Sequence, residues 1–301
     1  MMIIAGTVPD KDIPLTIGEV NADGGSLVVD GRRFSCMQGT GAMVSAALTV
    51  CDYLKLERPT VVIAGDIGEG KGSRAIYEYL IANVESLAPK VLALHYWLPD
   101  MALTRQLCEA VEECDERPIM VADAASMYSA KASGMAPCFD IMTPDATEMA
   151  FLADPAATHP AYIARHLFDT DVTQTPDLIG AAYENKGSAK LLLVKGAIDY
   201  VVRDGEIIET IEEPSVPVLE AIGGTGDTIT GLVAAFAYAG LELHQAATVA
   251  AKANRMAGSL ARPTPATKVG EIVKQFPAVF KEYLCEWSGD CCMEGGRDDG
   301  S

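Results

Sequence analysis

The chain has few basic residues, few aromatic residues and no long apolar run. Lys and Arg together number 23 against 42 Asp and Glu, which gives a formal net charge of −19. Because the phosphate backbone of nucleic acids is bound by basic surfaces, this charge argues against a nucleic-acid partner. No stretch reaches the roughly 18 apolar residues that a membrane-spanning helix needs. We therefore expect a protein that binds neither nucleic acid nor membrane.

The sequence also shows no secretion signal. The first residues, MMIIAGTVPDKD, carry no basic segment, and the apolar run before Pro9 is too short for a signal peptide. Most cysteines lie in apolar segments without metal-like spacing, which is typical of reduced cytoplasmic thiols. Near the acidic end of the chain, a metal site or redox pair formed by Cys285, Cys291 and Cys292 is the alternative to a disordered tail. These features predict a cytoplasmic protein.

The order of elements predicts a single α/β domain. A chain of 301 residues can bury one large core. Short apolar strands alternate with helices, which is the pattern of a doubly wound parallel sheet with ligands at the carboxyl ends of its strands. Turn signals around the segment SLVV, within residues 17–34, predict a β-hairpin or small lid. We expect the domain to span residues 1–287 and a disordered tail to span 288–301.

The most informative segment is EAIGGTGDTITG at residues 220–231, which is followed directly by the apolar run LVAAFAYA. It places a glycine-rich turn, with Gly223, Gly224 and Gly226, at the N-terminus of a helix. Such a turn lets backbone N–H groups and the helix dipole converge on an anion such as phosphate. Asp227 would repel phosphate, so it needs another purpose, and accepting a hydroxyl proton during phosphoryl transfer provides one. The alternative is that Asp227 only caps the helix.

Three further segments, together with this turn, resemble the ribokinase-like superfamily. They are VVIAGDIGEGKG at 61–72, IMTPDATE at 141–148 and LLLVKGAIDYVVRDG at 191–205. The block GGTGDTITG is most similar to the branch that holds ADP- or ATP-dependent NAD(P)H-hydrate dehydratases and their carbohydrate-kinase relatives. The resemblance covers about Val61 to Ala261. It implies a three-layer α/β/α sandwich with a mostly parallel central sheet and a small β-hairpin elaboration.

The resemblance also implies catalytic and metal-binding roles. Gly224, Thr225 and Gly226 would face the transferred phosphate, with Asp227 as the base. Glu148 and Asp145 would organise Mg²⁺ and its waters around the nucleotide phosphates, although an acidic residue in a first helical turn can also serve only the helix dipole. The family's kinases usually have Asn, and its dehydratases often His, at the position of Asp145.

Further residues follow from the same resemblance. The nucleotide side would consist of Lys195, Gly196, Gly223, Thr228 and Asn254. The substrate side would consist of Gly39, Gly41, His95 and Asp123. A solvated strand end is the alternative for Lys195, a helix or turn cap for Asp123, and an aromatic core cluster for His95 with its two neighbours.

Together these residues predict ATP-dependent phosphoryl transfer to a hydroxyl of a small molecule, with ATP or ADP and Mg²⁺ as cofactors. A dehydratase that phosphorylates NAD(P)H hydrate and then eliminates phosphate is the second interpretation. A protein that binds the nucleotide without turnover is the third, and the intact Asp227 argues against it. The acceptor, the preferred nucleotide and the formation of a homo-oligomer stay open at this point.

Overall fold

The computed structural model of the protein describes residues 1–157 and 175–289. The strands are β1 (Met2–Val8), β2 (Thr16–Asp23), β3 (Ser26–Val29), β4 (Arg32–Ser35), β5 (Thr60–Gly65), β6 (Val91–Leu94), β7 (Ile119–Ala122), β8 (Ile141–Met142), β9 (Leu191–Val194), β10 (Asp199–Arg203) and β11 (Glu206–Ile211). The helices are α1 (Thr40–Leu54), α2 (Lys71–Leu87), α3 (Met101–Glu112), α4 (Ala125–Ser133), α5 (Ala146–Ala153), α6 (Thr175–Glu184), α7 (Thr225–Tyr238), α8 (Leu243–Ala261), α9 (Val269–Val273) and α10 (Phe276–Ser288). Strands and helices alternate through most of the described chain, as the sequence predicts.

The strands form one sheet in the order β11-β10-β9-β8-β7-β6-β1-β5-β2-β3-β4. From β9 to β5 in this order, all neighbours are parallel, and antiparallel strands extend the sheet at both ends. The segment predicted as a hairpin or lid contains three strands, and β2 pairs directly with β5, for example Ile17 with Val62. This elaboration therefore continues the main sheet instead of standing apart from it. The predicted mostly parallel α/β architecture is confirmed.

Alternation along β1 explains the three layers. Met2 and Ile4 belong to the core on one face of the sheet, under α1, α7 and α8. Ile3 and Ala5 belong to the core on the other face, with α2, α3 and α5. Because successive side chains of a strand point to opposite faces, an apolar run such as MIIAGTV is buried on both sides.

Small residues bring the central helices close together. A Cβ at Gly231, in α7, would lie only 2.1 Å from the carbonyl oxygen of Met43, in α1. Glycine is therefore needed for this approach, and the neighbouring Ala234 and Ala235 are also fully buried. This packing matters for the site because it fixes the N-terminus of α7 relative to the N-terminus of α1.

Gly289 is the last residue that the structure describes. α10 extends to Ser288, one residue past the predicted domain boundary, and Gly289 caps it in the left-handed conformation with φ 68°. The rest of the predicted tail, with Cys291 and Cys292, lies outside the described residues. Among the described helices, none is both long and apolar enough to cross a membrane.

Candidate active site

The candidate site lies at the carboxyl edge of the parallel strands. β5 and β6 pair with opposite sides of β1, so the sheet has its topological switch point at β1. Open α/β sheets bind ligands in the crevice outside the strands at such a point. Thr7 near the end of β1, His95 after β6, Asp123 after β7 and Lys195 after β9 all lie at this edge. The fold thus brings together residues that are far apart in the sequence.

Two helices begin at this edge without side-chain caps. α1 follows Gly39, with φ 59°, and α7 follows Gly224, with φ 99°. A Cβ at Gly224 would lie 3.0 Å from the carbonyl oxygen of Met37 and 3.2 Å from Cβ of Ala42, so the turn before α7 packs against the start of α1. The first-turn N–H groups and dipoles of both helices favour a negative charge in the same region.

Asp227 lies in the first turn of α7 and connects the two helices. Its Oδ2 accepts a 2.6 Å hydrogen bond from the backbone N–H of Gly39, and its Oδ1 lies 3.0 Å from Nε2 of His95. Burial acts to raise the pKa of Asp227, but the hydrogen bond and charge of His95 and the charge of Lys195 hold that pKa below its ordinary value. Asp227 is therefore a carboxylate at neutral pH, and 19% of its side-chain surface remains exposed to a ligand.

His95 lies beneath Asp227 and has no exposed surface. Its Nδ1 is 3.2 Å from Oγ1 of Thr40, the first residue of α1. The ring has no surface exposed to a ligand in this structure, and the contact of His95 with substrate stays a prediction. Its neighbour Tyr96 is 53% exposed, whereas Trp97 is buried against Tyr77, with ring centroids 4.2 Å apart. Tyr96 is thus the aromatic side chain of this segment that faces the site.

Lys195 and Asp123 form a buried ion pair behind the glycine turn. Nζ of Lys195 donates to Oδ1 of Asp123 at 2.9 Å, and Oδ2 of Asp123 accepts a 2.5 Å hydrogen bond from Thr230 of α7. Burial acts to lower the pKa of Lys195, but the charges of Asp123 and Glu148 raise it above its ordinary value. A Cβ at Gly226 would be 3.5 Å from Nζ, so the ammonium faces the first turn of α7.

This pair bears on two expectations. Asp123 is only 1% exposed and is paired with Lys195, and its contact with substrate stays a prediction. Lys195 is not the solvated strand end of the alternative interpretation, because its side chain is only 11% exposed. A positive charge fixed beside an uncapped helix N-terminus can neutralise a phosphate there.

Asp145 and Glu148 form a capping box at the start of α5. Asp145 accepts from the N–H of Glu148 at 2.8 Å, Glu148 accepts from the N–H of Asp145 at 2.9 Å, and Tyr128 donates to Glu148 at 3.1 Å. The predicted DxxE segment is therefore also a structural cap. It lies beside Lys195, whose N–H donates to the carbonyl of Pro144 at 2.8 Å. Burial and the charge of Asp145 raise the pKa of Glu148 to about 8.

The residues predicted for the nucleotide side have different positions. Gly196 follows Lys195 at the same edge, and its carbonyl accepts from Arg255 at 2.9 Å. Thr228 is fully buried, and its hydroxyl lies 2.8 Å from the side-chain oxygen of Asn254, which is 4% exposed. Thr228 and Asn254 thus join α7 to α8, and their contact with the nucleotide stays a prediction. Gly223 lies in the turn, near the side chain of Gln38.

The two glycines predicted for the substrate side, Gly39 and Gly41, also lie in different surroundings. The N–H of Gly39 binds Asp227, so this residue belongs to the centre of the site. Gly41 is buried, and a Cβ there would lie 1.9 Å from the carbonyl oxygen of Ser35. The glycine at position 41 is therefore explained by close packing between α1 and β4, not by a substrate.

In the glycine loop at residues 68–72, the backbone N–H groups bind a carboxylate of the protein itself. The carboxylate of Asp66 accepts hydrogen bonds from the N–H groups of Gly68, Glu69 and Gly70, each at 3.0 Å, and from Ser73. Burial acts against ionisation, but the hydrogen bonds from Ser73, Gly70 and Gly68 lower the pKa of Asp66 to about 2. The N–H groups that such a loop could offer to a phosphate are thus already bound within the protein.

Sequence comparison identifies the family. The family model described as NAD(P)H-hydrate dehydratase (Carb_kinase) matches residues 71–275, which is more than half of the chain and includes Glu148, Lys195 and Asp227. The chain belongs to this family of enzymes. The match favours the dehydratase, the second interpretation of the sequence, over a general small-molecule kinase.

Three individual proteins are similar to this chain to different extents. A Methanocaldococcus jannaschii protein, "Uncharacterized protein MJ1337", is 34% identical over 242 residues, covering 80% of this chain and 100% of the relative. The bifunctional NAD(P)H-hydrate repair enzyme Nnr of Hyperthermus butylicus is 42% identical over 81 residues, covering 27% of this chain but only 14% of that enzyme. The ADP/ATP-dependent NAD(P)H-hydrate dehydratase of Bacillus subtilis, co-crystallised with ATP/Mg²⁺, aligns with a TM-score of 0.54 over 93% of this chain and 90% of that one. The two sequences are 14% identical, so this likeness shows the fold alone. The ribokinase-like fold is confirmed.

Thr40 and Arg255 hold residues of the site in position, but they were not identified from the sequence. Thr40 lies between two glycines that were singled out, but nothing in its own sequence context indicates the contact with His95. Arg255 is 7% exposed and binds Asp199 at 2.7 Å as well as the carbonyls of Gly196 and Ala197, so it braces the turn after β9. An arginine within the small-residue helix α8 was the available signal, since buried arginines are almost always paired.

Proposed function

We propose that the protein is an ADP- or ATP-dependent NAD(P)H-hydrate dehydratase. The family match supports this activity, and the observation that carries it is the setting of Asp227. An ionised carboxylate lies between two uncapped helix N-termini, with the Lys195 ammonium facing the same turn. This arrangement combines a proton acceptor with a cradle for phosphate, which are the two groups that phosphoryl transfer to a hydroxyl requires.

The residues present fit a nucleotide with Mg²⁺. A phosphate fits the start of α7, because the helix has no side-chain cap and Gly226 leaves room beside Nζ of Lys195. A divalent cation fits Glu148, because a nearby positive charge would favour the ionised form of this carboxyl group, whose pKa is raised to about 8 by burial and by the charge of Asp145. When bound, ATP or ADP with Mg²⁺ supplies the phosphoryl group that converts the hydroxyl of the hydrate into a phosphate, whose elimination restores the nicotinamide double bond.

The protein's own groups then have separate tasks. Asp227 accepts the proton of the substrate hydroxyl, and the N–H of Gly39 holds its other oxygen still. Lys195 and the N–H groups of the glycine turn stabilise negative charge on the transferred phosphate. Asp123 fixes the position of Lys195 through the 2.9 Å ion pair. Glu148 and Asp145 would hold the cation and its waters.

Tyr96 supports a flat acceptor such as the nicotinamide ring of the hydrate. Its ring is half exposed, lies beside His95, and comes within 4.0 Å of the position that a Cβ would occupy on Gly39. An aromatic face at this position can stack on a planar ring whose hydroxyl points at Asp227.

An assay of the purified protein with NADH hydrate, Mg²⁺ and either ATP or ADP tests this proposal. We expect regeneration of NADH, seen by its absorbance, only when nucleotide and Mg²⁺ are both present. Sugars, nucleosides and pyrimidines serve as parallel acceptors. A stable phosphorylated product from one of these acceptors, with no NADH formed from the hydrate, would replace the dehydratase with a small-molecule kinase.

A further inference from the structure

The polar partners of His95 suggest that it has a role other than contacting substrate or filling the core. The ring is completely buried, yet both of its nitrogens face polar atoms. Nδ1 lies 3.2 Å from Oγ1 of Thr40, and Nε2 lies 3.0 Å from Oδ1 of Asp227. A buried imidazole with partners on both sides is fixed in orientation, and the identity of each donor can be worked out from those partners.

The Thr40 side requires a proton on Nδ1. The hydroxyl of Thr40 lies 2.8 Å from the carbonyl oxygen of Thr7, which can only accept. The single hydroxyl proton of Thr40 is therefore directed to Thr7. Oγ1 is then an acceptor towards the ring, and the 3.2 Å contact is a hydrogen bond only if Nδ1 donates.

The Asp227 side requires a proton on Nε2 as well. Oδ2 of Asp227 accepts from the N–H of Gly39, and Oδ1 lies 3.0 Å from Nε2. A carboxylate oxygen accepts, so the contact with Nε2 is a hydrogen bond when that nitrogen donates. A second carboxylate oxygen, Oδ2 of Asp123, lies 3.8 Å from the same nitrogen. A lone pair on Nε2 would face two negative groups, whereas an N–H there donates to Asp227.

The surrounding charges agree with a positive ring. The charged groups that face His95 are Asp227 of α7, Asp123 after β7 and, bound to Asp123, Lys195 after β9. From α1 the ring meets the uncharged Thr40, which bonds in turn to the carbonyl of Thr7 in β1. Two carboxylates against one ammonium leave one negative charge, and a doubly protonated ring balances it. Nε2 and the two carboxylates are also close enough together for a metal ion, but the hydrogen bonds and Lys195 already supply positive partners.

We propose that His95 is a positioning residue, held as a buried imidazolium that fixes the carboxylate of Asp227 for proton transfer. One oxygen of Asp227 is held by the ring and the other by the N–H of Gly39, so the carboxylate cannot rotate away from the acceptor. The positioning role rests on the proposed function. The protonation state of the ring does not, and it can be measured without any substrate.

The chain has only four histidines, which makes the measurement direct. Protein labelled with ¹⁵N-histidine is studied by long-range ¹H–¹⁵N correlation NMR at neutral pH, and the His95 signals are assigned by their loss in His95→Gln. We expect two protonated ring nitrogens for His95. In Asp227→Asn the ring loses its carboxylate partner, and we expect it to become neutral. A neutral His95 in the unaltered protein, or a bound metal that removes the Nε2 proton, would overturn the proposal.

Kinetics of the same variants test the positioning role. Gln at position 95 keeps an N–H donor that can reach Asp227, whereas Phe keeps only the ring shape. We expect His95→Phe to lower kcat at least 10-fold with the KM for nucleotide nearly unchanged, and His95→Gln to restore part of the loss. Equal kcat values for Phe and the unaltered protein would contradict the role. If no activity is found for the unaltered protein, the proposed function fails while the NMR result still decides the state of His95.

Discussion

Nζ of Lys195 lies 2.9 Å from Oδ1 of Asp123, and the two side chains are only 11% and 2% exposed. Removing one partner from a buried ion pair leaves an uncompensated charge, which typically costs about 3–5 kcal/mol. We expect Lys195→Met to lower the free energy of unfolding by roughly 3 kcal/mol, because Asp123 would stay buried without its ammonium. Chemical denaturation of the variant measures this loss.

Lys252→Met is the matched control for that substitution. Lys252 also has a 2.9 Å ion pair, with Glu209, but the side chains are 33% and 38% exposed. Solvent screens such a pair, so we expect a loss below about 1 kcal/mol. Equal losses for the two variants would show that burial of Lys195 contributes nothing to the strength of its pair.

The carboxylate of Asp66 holds the glycine loop at the start of α2. Asn at this position replaces one oxygen by an NH₂ group, which cannot accept from the N–H and hydroxyl of Ser73. We expect Asp66→Asn to lower the free energy of unfolding by about 1–3 kcal/mol. Glu69→Gln, in the same exposed loop, is the control and should have little effect.

The effect of Asp66 depends on pH in a defined direction. Its pKa in the folded protein is about 2, below the ordinary value of 3.8. The folded state therefore favours the ionised form, and the stability that Asp66 contributes is fully present above pH 3.8 and is lost as the pH falls towards 2. The difference between the original protein and Asp66→Asn should shrink over this range in pH-dependent denaturation. A constant difference would contradict the assigned hydrogen bonds.

Nucleotide binding should raise the thermal unfolding temperature. A ligand that binds only the folded state stabilises it by about 2.7 kcal/mol at 100 times its Kd. We expect ATP or ADP to raise Tm, and Mg²⁺ to increase the shift through Glu148. Glu148→Gln should remove most of the Mg²⁺ contribution, while Glu109→Gln, on the exposed face of α3, should leave it intact. Absence of any shift at millimolar nucleotide would argue against the nucleotide site.

The sequence predicts the fold well because the signals for it are local. The strands at 91–94, 119–122 and 141–142 are each a short apolar run between helices, which is the alternation that predicts the α/β fold. The turn at Asp204 and Gly205, with φ 51° and 88°, likewise follows from the preference of Asp-Gly for tight hairpins. Pairing of β2 with β5 was not predicted, because it depends on which sheet edge is open and not on the sequence of β2.

The site is predicted less completely, because burial and partner choice are properties of the assembled chain. The uncapped glycine turn with Asp227 could be located from sequence, since the turn, the acid and the helix are contiguous. His95 and Asp123 could be singled out, but their burial beneath the site could not, because it results from the packing of α7 over the strand ends. Thr40 acquires its function only through a contact with a residue 55 positions away.

Asp227→Asn in the NADH-hydrate assay tests the central claim, that this carboxylate accepts the substrate's proton. Asn keeps the size of the side chain but cannot take the proton, so we expect turnover to fall by about 10²-fold or more while nucleotide affinity is retained. Asp100→Asn is the control, because Asp100 caps α3, where it accepts from the N–H groups of Ala102 and Leu103, and its other oxygen lies 3.6 Å from Arg74. Asn caps a helix as well as Asp does, so this variant should keep its turnover. Near-normal turnover in Asp227→Asn would contradict the account and leave Asp227 with a structural role, joining the first turn of α7 to Gly39 and His95.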